Sequence, residues 1–340
     1  MNILVVFTGG TIGSAVQDGY ISPDRNNKYK LLKQYEMSHA HTMCDVTFSA
    51  CEPFMMLSEN MTCDKVVVLM HTVKEAIASG KYDGIIVCHG TDTLQYSSAA
   101  LAYMAGLSSI PVMVVSSNYV IEDVRANGMA NFAAAIDFIL GRCGKGVFIP
   151  YQNTGDVMTI HRASRALPHL PVSDDVYSVM NACYGTMELS DGRYMFEENA
   201  AYQEEPDEME PLCPEQYDAK DSGILQIFPA TGMRYSLLTN DGSVKAILHH
   251  SYHSGTICSQ SEEFTLFAKK AKELKIPIFL AGANYNTDYE STKVYEEWGI
   301  HVLKQTSPIA MYCKLWLCIS CGLDPMEYMD KSLAGDIMTK

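Results

Sequence analysis

The chain has 340 residues, more than one small hydrophobic core organises, so two domains are the natural expectation. Hydrophobic residues make up 47% and charged residues 19%, a globular composition that excludes a disordered chain. The net charge of −15, with no basic run to offset it, argues against a phosphate-binding surface, and nucleic acid is not an expected partner.

The opening MNILVVFTGGTIGS has one short apolar run without basic residues ahead of it, so it reads as a first strand and not as a signal peptide. No apolar run reaches the roughly eighteen residues that a bilayer span needs, so no membrane is expected. Eleven cysteines, an odd number without framework spacing, fit a reducing compartment, and a cytoplasmic location is expected.

Strands and helices then alternate. Residues 3–7 read as a strand, 64–79 as a helix, 84–88 as a strand and 94–105 as an alanine-rich helix. A strand at 111–116, a helix over roughly 120–140 and a strand at 147–150 continue a βαβ rhythm, which implies a parallel sheet with helices on its faces. Residues 197–221 break it with ten acids, one lysine and three prolines, which predicts a solvated linker or surface excursion. Alternation resumes at 224–228, 246–249, 262–274, 277–281, 290–298, 301–303 and 309–320. The expected class is therefore α/β with two α/β domains. Residues 1–190 form a larger, mainly parallel sheet, 191–222 an acidic linker, and 223–340 a smaller parallel-sheet domain.

Ligands of open α/β sheets sit beyond the carboxyl ends of the strands. Two such ends carry polar residues: Thr8-Gly9-Gly10-Thr11-Ile12 after the first strand and His89-Gly90-Thr91-Asp92-Thr93 after residues 84–88. The paired glycines permit a tight turn and close approach, and neither phosphate-loop nor dinucleotide spacing is present. A helix cap accounts for Thr91 or Asp92 alone. It does not account for hydroxyls and an acid at one tip facing a hydroxyl at another, which points to a sheltered pocket with a hydroxyl nucleophile.

TGGTI at 8–12 and HGTDT at 89–93 resemble the two signatures of the bacterial-type L-asparaginases. Leu57-Ser58-Glu59-Asn60-Met61-Thr62 is similar to that family's substrate-carboxylate loop, Asp18-Gly19-Tyr20 lies where the family has its flexible lid, and Arg125 to Asn131 resembles the helix after its third strand. The resemblance implies hydrolysis of the side-chain amide of L-asparagine to L-aspartate and ammonia, with no cofactor and no metal. Carried onto this sequence, Thr11 attacks the amide carbon and Tyr20 orients or activates it. Ser58 and Glu59, with Gly10 and Gly90, bind the amino-acid end of the substrate. Asp92 takes its ammonium, and Thr91 supports the oxyanion and positions the water. The resemblance further implies a homodimer or homotetramer.

One position departs from the family. A lysine is expected in a segment reading RxxRxxK, whereas this chain has Arg162-Ala163-Ser164-Arg165-Ala166-Leu167-Pro168, with Pro168 in the lysine's place. Three readings stay open. Arg165 or His169 replaces the charge, with Arg165 or a water the expected neighbour of Asp92; a lysine from elsewhere, such as Lys314, reaches in; or the site binds a ligand and turns it over slowly. Arginine stays protonated and cannot relay a proton, while histidine can. Two other functions remain in view. One is a catalytically impaired amino-acid-binding homologue. The other is the amidase subunit of a tRNA-dependent amidotransferase, which shares both signatures but typically carries an extra N-terminal domain, whereas this chain begins at its first strand.

The Cys318-Ile-Ser-Cys321 motif lacks a second cysteine or histidine pair and reads as structural. His249 and His250 are adjacent on a strand and point to opposite faces, so they read as core or surface histidines and not as a metal pair.

Overall fold

The computed structural model describes residues 1–17, 20–23, 27–38, 46–170, 172–235, 242–283 and 289–338. The chain opens with β1 (Asn2–Phe7), passes a 3-10 turn at Thr11–Gly13 and forms a hairpin of β2 (Ser14–Gln17) and β3 (Tyr20–Pro23). There follow α1 (Asn27–Ser38), β4 (Thr47–Cys51), α2 (Cys63–Ala78), β5 (Gly84–Cys88) and α3 (Leu94–Ala105). Next come β6 (Pro111–Val115), α4 (Gly128–Leu140), β7 (Gly146–Gln152), β8 (Met158–Arg162), β9 (Gly185–Ser190) and β10 (Arg193–Glu198). The second half holds β11 (Ile224–Ile227), β12 (Ala246–His250), α5 (Glu262–Glu273), β13 (Ile278–Ala281) and α6 (Val294–Trp298). It ends with β14 (Ile300–Val302), α7 (Pro308–Ser320) and α8 (Pro325–Tyr328).

The large sheet has the order β10-β9-β8-β7-β6-β5-β1-β4. Its β4-β1-β5-β6-β7 part is parallel, and β8, β9 and β10 extend it antiparallel. The second sheet, β11-β12-β13-β14, is parallel throughout. This is the α/β class expected, with a large mainly parallel sheet followed by a smaller parallel one.

The residues explain the layering. β5 reads GIIVC with every position buried, as a strand covered on both faces must be. Ile85 and Val87 join a core with α2 and α3, whereas Ile86 and Cys88 join another with α4, the period of two that a pleated strand imposes. Helix ends carry their own signals. Ser261 caps α5 by accepting from the Phe264 amide, with Glu262 and Glu263 in the first turn and Lys270 and Lys272 in the last, as the helix dipole favours. Ser307 caps α7 ahead of Pro308 in the same way.

Two expectations are corrected. The helix expected from about 120 begins at Gly128. Before it, Asn118 and Asn127 exchange hydrogen bonds, each side-chain oxygen accepting from the other's backbone N–H at 3.0 Å, which fixes a turn where hydrophobicity suggested a helix. The stretch expected as a linker over 191–222 begins inside the large sheet, because β10 pairs with β9 from Arg193 to Glu198. Some of its acids then act as acceptors. Glu204 holds the buried Arg162, Asp207 accepts from the Ala334 amide at 2.7 Å, and Glu208 accepts from the Ser332 amide at 2.9 Å. Leu212 is buried, and its N–H donates to the Tyr103 carbonyl at 2.9 Å. Asp207 and Glu208 thus give partners to backbone donors of the C-terminal segment, and this part of the stretch is a packed strap.

The two sheets share a core, because α7 packs against α3 and apolar residues of both halves join one cluster. At its heart Lys314, fully buried, pairs with the fully buried Asp336 at 2.9 Å, and Tyr103 donates to the same carboxylate at 3.1 Å. Removing one partner strands the other charge, which costs about 3–5 kcal/mol. Lys314→Met should therefore lose about that much stability in urea unfolding, and the double variant K314M/D336N should regain a large part of it. A single variant as stable as the parent would show that this pair does not hold the halves together.

Candidate active site

The carboxyl ends of β1 and β5 are tied to one another. The Thr8 N–H and hydroxyl both donate to the Cys88 carbonyl, at 3.1 and 2.9 Å, so this hydroxyl is committed to structure. Gly9 forms a parallel bridge with Met56, and the Gly10 N–H donates to the Met56 carbonyl at 3.0 Å. Gly10 then adopts φ 72°, and a Cβ placed on it would lie 2.2 Å from both Cα and N of Gly90. A Cβ on Gly90 would lie 2.4 Å from Ser58 Oγ. Three segments thus converge at one point: the TGGTI tip, the HGTDT tip and the Ser58 turn.

The polar side chains of that point are partly connected. Ser58, buried, donates from Oγ to Asp92 Oδ2 at 3.1 Å, and Thr93 Oγ1 donates to the Ser58 carbonyl at 2.9 Å. Thr11 is partly buried in the 3-10 turn directly after Gly10. Thr91 is partly buried and Asp92 exposed at the entrance to α3. Glu59 is exposed on the 3-10 turn Ser58–Asn60. Tyr20 begins β3 and is 79% exposed. Of the lid, expected over residues 13–26, residues 18–19 and 24–26 lie outside the described residues. His89, fully buried, sets its Nδ1 against the Gly90 carbonyl at 2.9 Å. Burial pushes its pKa down, while that carbonyl and the Asp92 charge pull it back up.

Thr91 and Asp92 line a cleft of about 340 Å³, large enough for a small molecule. Among the described residues the other walls are Asn118, Tyr151, His169, Leu170, Val172, Ser173 and Asp174; Thr11 and Tyr20 are not among them. Asn118, Tyr151 and Asp174 were not singled out in the sequence. Asn118 was within reach of the strand-end rule, because it follows β6 by three residues. Tyr151 and Asp174 carried no local signal. They meet because the Tyr151 hydroxyl donates to the Asp174 carbonyl across 23 residues of chain.

The readings for the missing lysine separate. Arg165 does not reach Asp92. Its guanidinium is buried against the carbonyls of Gln203 and Gly335, at 2.7 and 2.6 Å, and over the Tyr202 ring. Lys314 is committed to Asp336. Among the described residues no lysine or arginine forms an ion pair with Asp92, and the expectation of Arg165 there is corrected. Asp92 is also exposed, so the penalty of a buried carboxylate that underlay that expectation does not arise. His169 lies in the cleft itself. Among the described residues no group of three or more His, Cys, Asp or Glu side chains is placed to hold a metal. His249 and His250 have separate partners, Tyr235 and Gln226.

A family model described as "Asparaginase, N-terminal" matches residues 2–182, more than half of the chain. The chain belongs to the asparaginase family. It is similar to "L-asparaginase 1" of Escherichia coli strain K12, with 32% identity over 136 residues, covering 40% of this chain and 39% of that one. It is also similar to a glutamyl-tRNA(Gln) amidotransferase component of Methanosarcina acetivorans, with 28% identity over 199 residues, covering 56% of this chain and 44% of that one. The matched regions thus span less than half of either relative. In three dimensions the whole chain superposes on "The thermostable L-asparaginase from Thermococcus kodakarensis", with a TM-score of 0.77, 20% identity and 100% coverage of both chains, a likeness of fold.

This asparaginase-family site depends on glycine at position 10. Gly10→Ala combines a left-handed φ with a Cβ inside van der Waals contact of Gly90, and should lose more than about 2 kcal/mol in chemical unfolding. Gly80→Ala, at φ 63° with open space around it, is the control and should lose only about 1 kcal/mol.

Proposed function

We propose that this protein is an amidohydrolase that converts L-asparagine to L-aspartate and ammonia through an acyl-enzyme on Thr11. The observation that carries the reading is the convergence of the two signature tips at Gly10 and Gly90, with Ser58 hydrogen-bonded to Asp92 beside them, in a chain of the asparaginase family.

The chemistry follows from those positions. A neutral hydroxyl is a weak nucleophile and needs a placed electrophile and polar neighbours. Thr11 Oγ attacks the amide carbon, and the carbon–nitrogen bond breaks as the nitrogen leaves as ammonia with the threonine proton. Water then attacks the acyl carbon and frees Thr11. Tyr20, entering from the β2–β3 hairpin, orients the nucleophile. Asp92 receives the substrate ammonium, Ser58 and Glu59 the amino-acid end, Gly10 and Gly90 let the ligand approach the backbone, and Thr91 holds the water. The assembly read with it is a homodimer or homotetramer.

A second reading, amidase subunit of a tRNA-dependent amidotransferase, is favoured by the Methanosarcina relative. A net charge of −15 counts against a tRNA surface.

Ammonia release from L-asparagine and L-glutamine, without tRNA, is the deciding measurement. Release from L-asparagine alone supports the first reading. A chain that binds L-aspartate, seen as a raised melting temperature, but releases no ammonia is an amino-acid-binding homologue. Thr11→Ala should reduce release at least about a thousandfold at unchanged melting temperature, because loss of a covalent nucleophile costs that much or more.

A further inference from the structure

The cleft beside Thr91 and Asp92 contains a base that none of the proposed roles uses. Thr91, Asn118, Ser173, Leu170 and Val172 do not titrate in the physiological range. Burial pushes the Tyr151 phenol up to about 12, so it keeps its proton. Asp92 and Asp174 offer carboxylates, which are weak bases. His169 remains, partly buried on the loop after β8, with its ring edge-on to Tyr151 at 6.5 Å.

We propose that His169 is the base that carries the proton of the attacking water in the Thr91–Asp92 cleft, an inference that rests on the amide-hydrolysis reading. The water oxygen bonds to the acyl carbon, and its proton passes to a ring nitrogen of His169. The bond from that carbon to Thr11 Oγ breaks, and the proton reaches the threonine oxygen by way of the Thr91 hydroxyl, because Thr11 does not itself line the cleft. Atoms and charge balance, and no further reactant enters.

The surroundings fit a base at neutral pH. Burial lowers the His169 pKa, while the Asp175 carbonyl and the charges of Asp92 and Asp174 act against that shift, leaving it below the ordinary histidine value. Asp92 stands at the head of α3, Asp174 and Asp175 on the loop of His169 itself, and Tyr151 on β7. The ring is then mainly neutral at pH 7 and gains a proton as pH falls through a value below about 6.5. The working form is therefore lost on the acid side.

The pH profile of kcat for the full chain, with His169→Gln and His169→Asn, tests this. Position 169 is on a half-exposed loop, so both variants should melt within a few degrees of the parent. At pH 7.5 kcat should fall about a hundredfold with little change in KM, and the acid limb of the parent should flatten. A variant that keeps the parental acid limb, with or without a uniform loss of rate, overturns the proposal while leaving the hydrolysis reading intact. A parent that releases no ammonia from any amide overturns the hydrolysis reading instead. NMR titration of the His169 imidazole supplies an arm independent of turnover. Addition of L-aspartate should displace its midpoint, and an unmoved midpoint with L-aspartate bound overturns the placement of His169 at the ligand.

Discussion

The contact between Gly10 and Gly90 is the constraint on which the site rests. Parallel strands diverge past their last hydrogen bond, and their tips come together only if something holds them and nothing stands between. Thr8 does the holding, through two bonds to the Cys88 carbonyl. Two missing Cβ atoms do the rest, because either one would occupy space already filled by backbone or by Ser58. This explains why Thr8 and Thr11, three residues apart in one motif, have separate duties. The first is buried and bonded in the sheet, and the second stands beyond the glycines.

The cleft is built differently, by a loop anchored at both ends. Ala166 precedes it, its carbonyl accepting from the Ser307 hydroxyl at 2.5 Å, while Ser164 and Arg165 bind the carbonyls of Ala334 and Gly335. Beyond it, the Val176 N–H donates to Asn153 at 2.9 Å, and the Leu167 N–H donates to the Tyr177 carbonyl at 2.8 Å. Buried arginine, acidic strap and C-terminal segment therefore serve one end, a fixed frame for a short exposed loop that carries His169.

The parallel framework was legible because it is written locally. GIIVC and PVMVV are apolar runs between turn signals, and the tips of β1 and β5 announce themselves by the abrupt change to glycine and threonine. What was not legible depends on partners far away in the chain. The acidic residues 197–221 look solvated when counted alone, yet Asp207 and Glu208 bind amides more than 120 residues onward. Arg165 sits in a motif that suggests a catalytic cation, but its direction is set by Gly335, 170 residues away. Asn118 and Asn127 interrupted a helical pattern by a reciprocal pair of bonds that hydrophobic periodicity does not register.

The acidic surroundings bear on how a zwitterion would be held. Asp92 and Asp174 on the cleft favour a ligand's ammonium group and repel its carboxylate, and among the described residues no arginine or lysine lines the cleft to offset them. A carboxylate must then be bound by neutral donors, hydroxyls and backbone N–H groups. Ser58 is the buried hydroxyl nearest this task, but it has one proton and donates it to Asp92. An ammonium arriving at Asp92 would satisfy that carboxylate and release the Ser58 proton for the ligand's other end. On the proposed reading, recognition of the two ends is then coupled through a single hydroxyl. A ligand lacking the ammonium leaves Ser58 committed to Asp92, and so loses part of the donor set for its carboxylate as well.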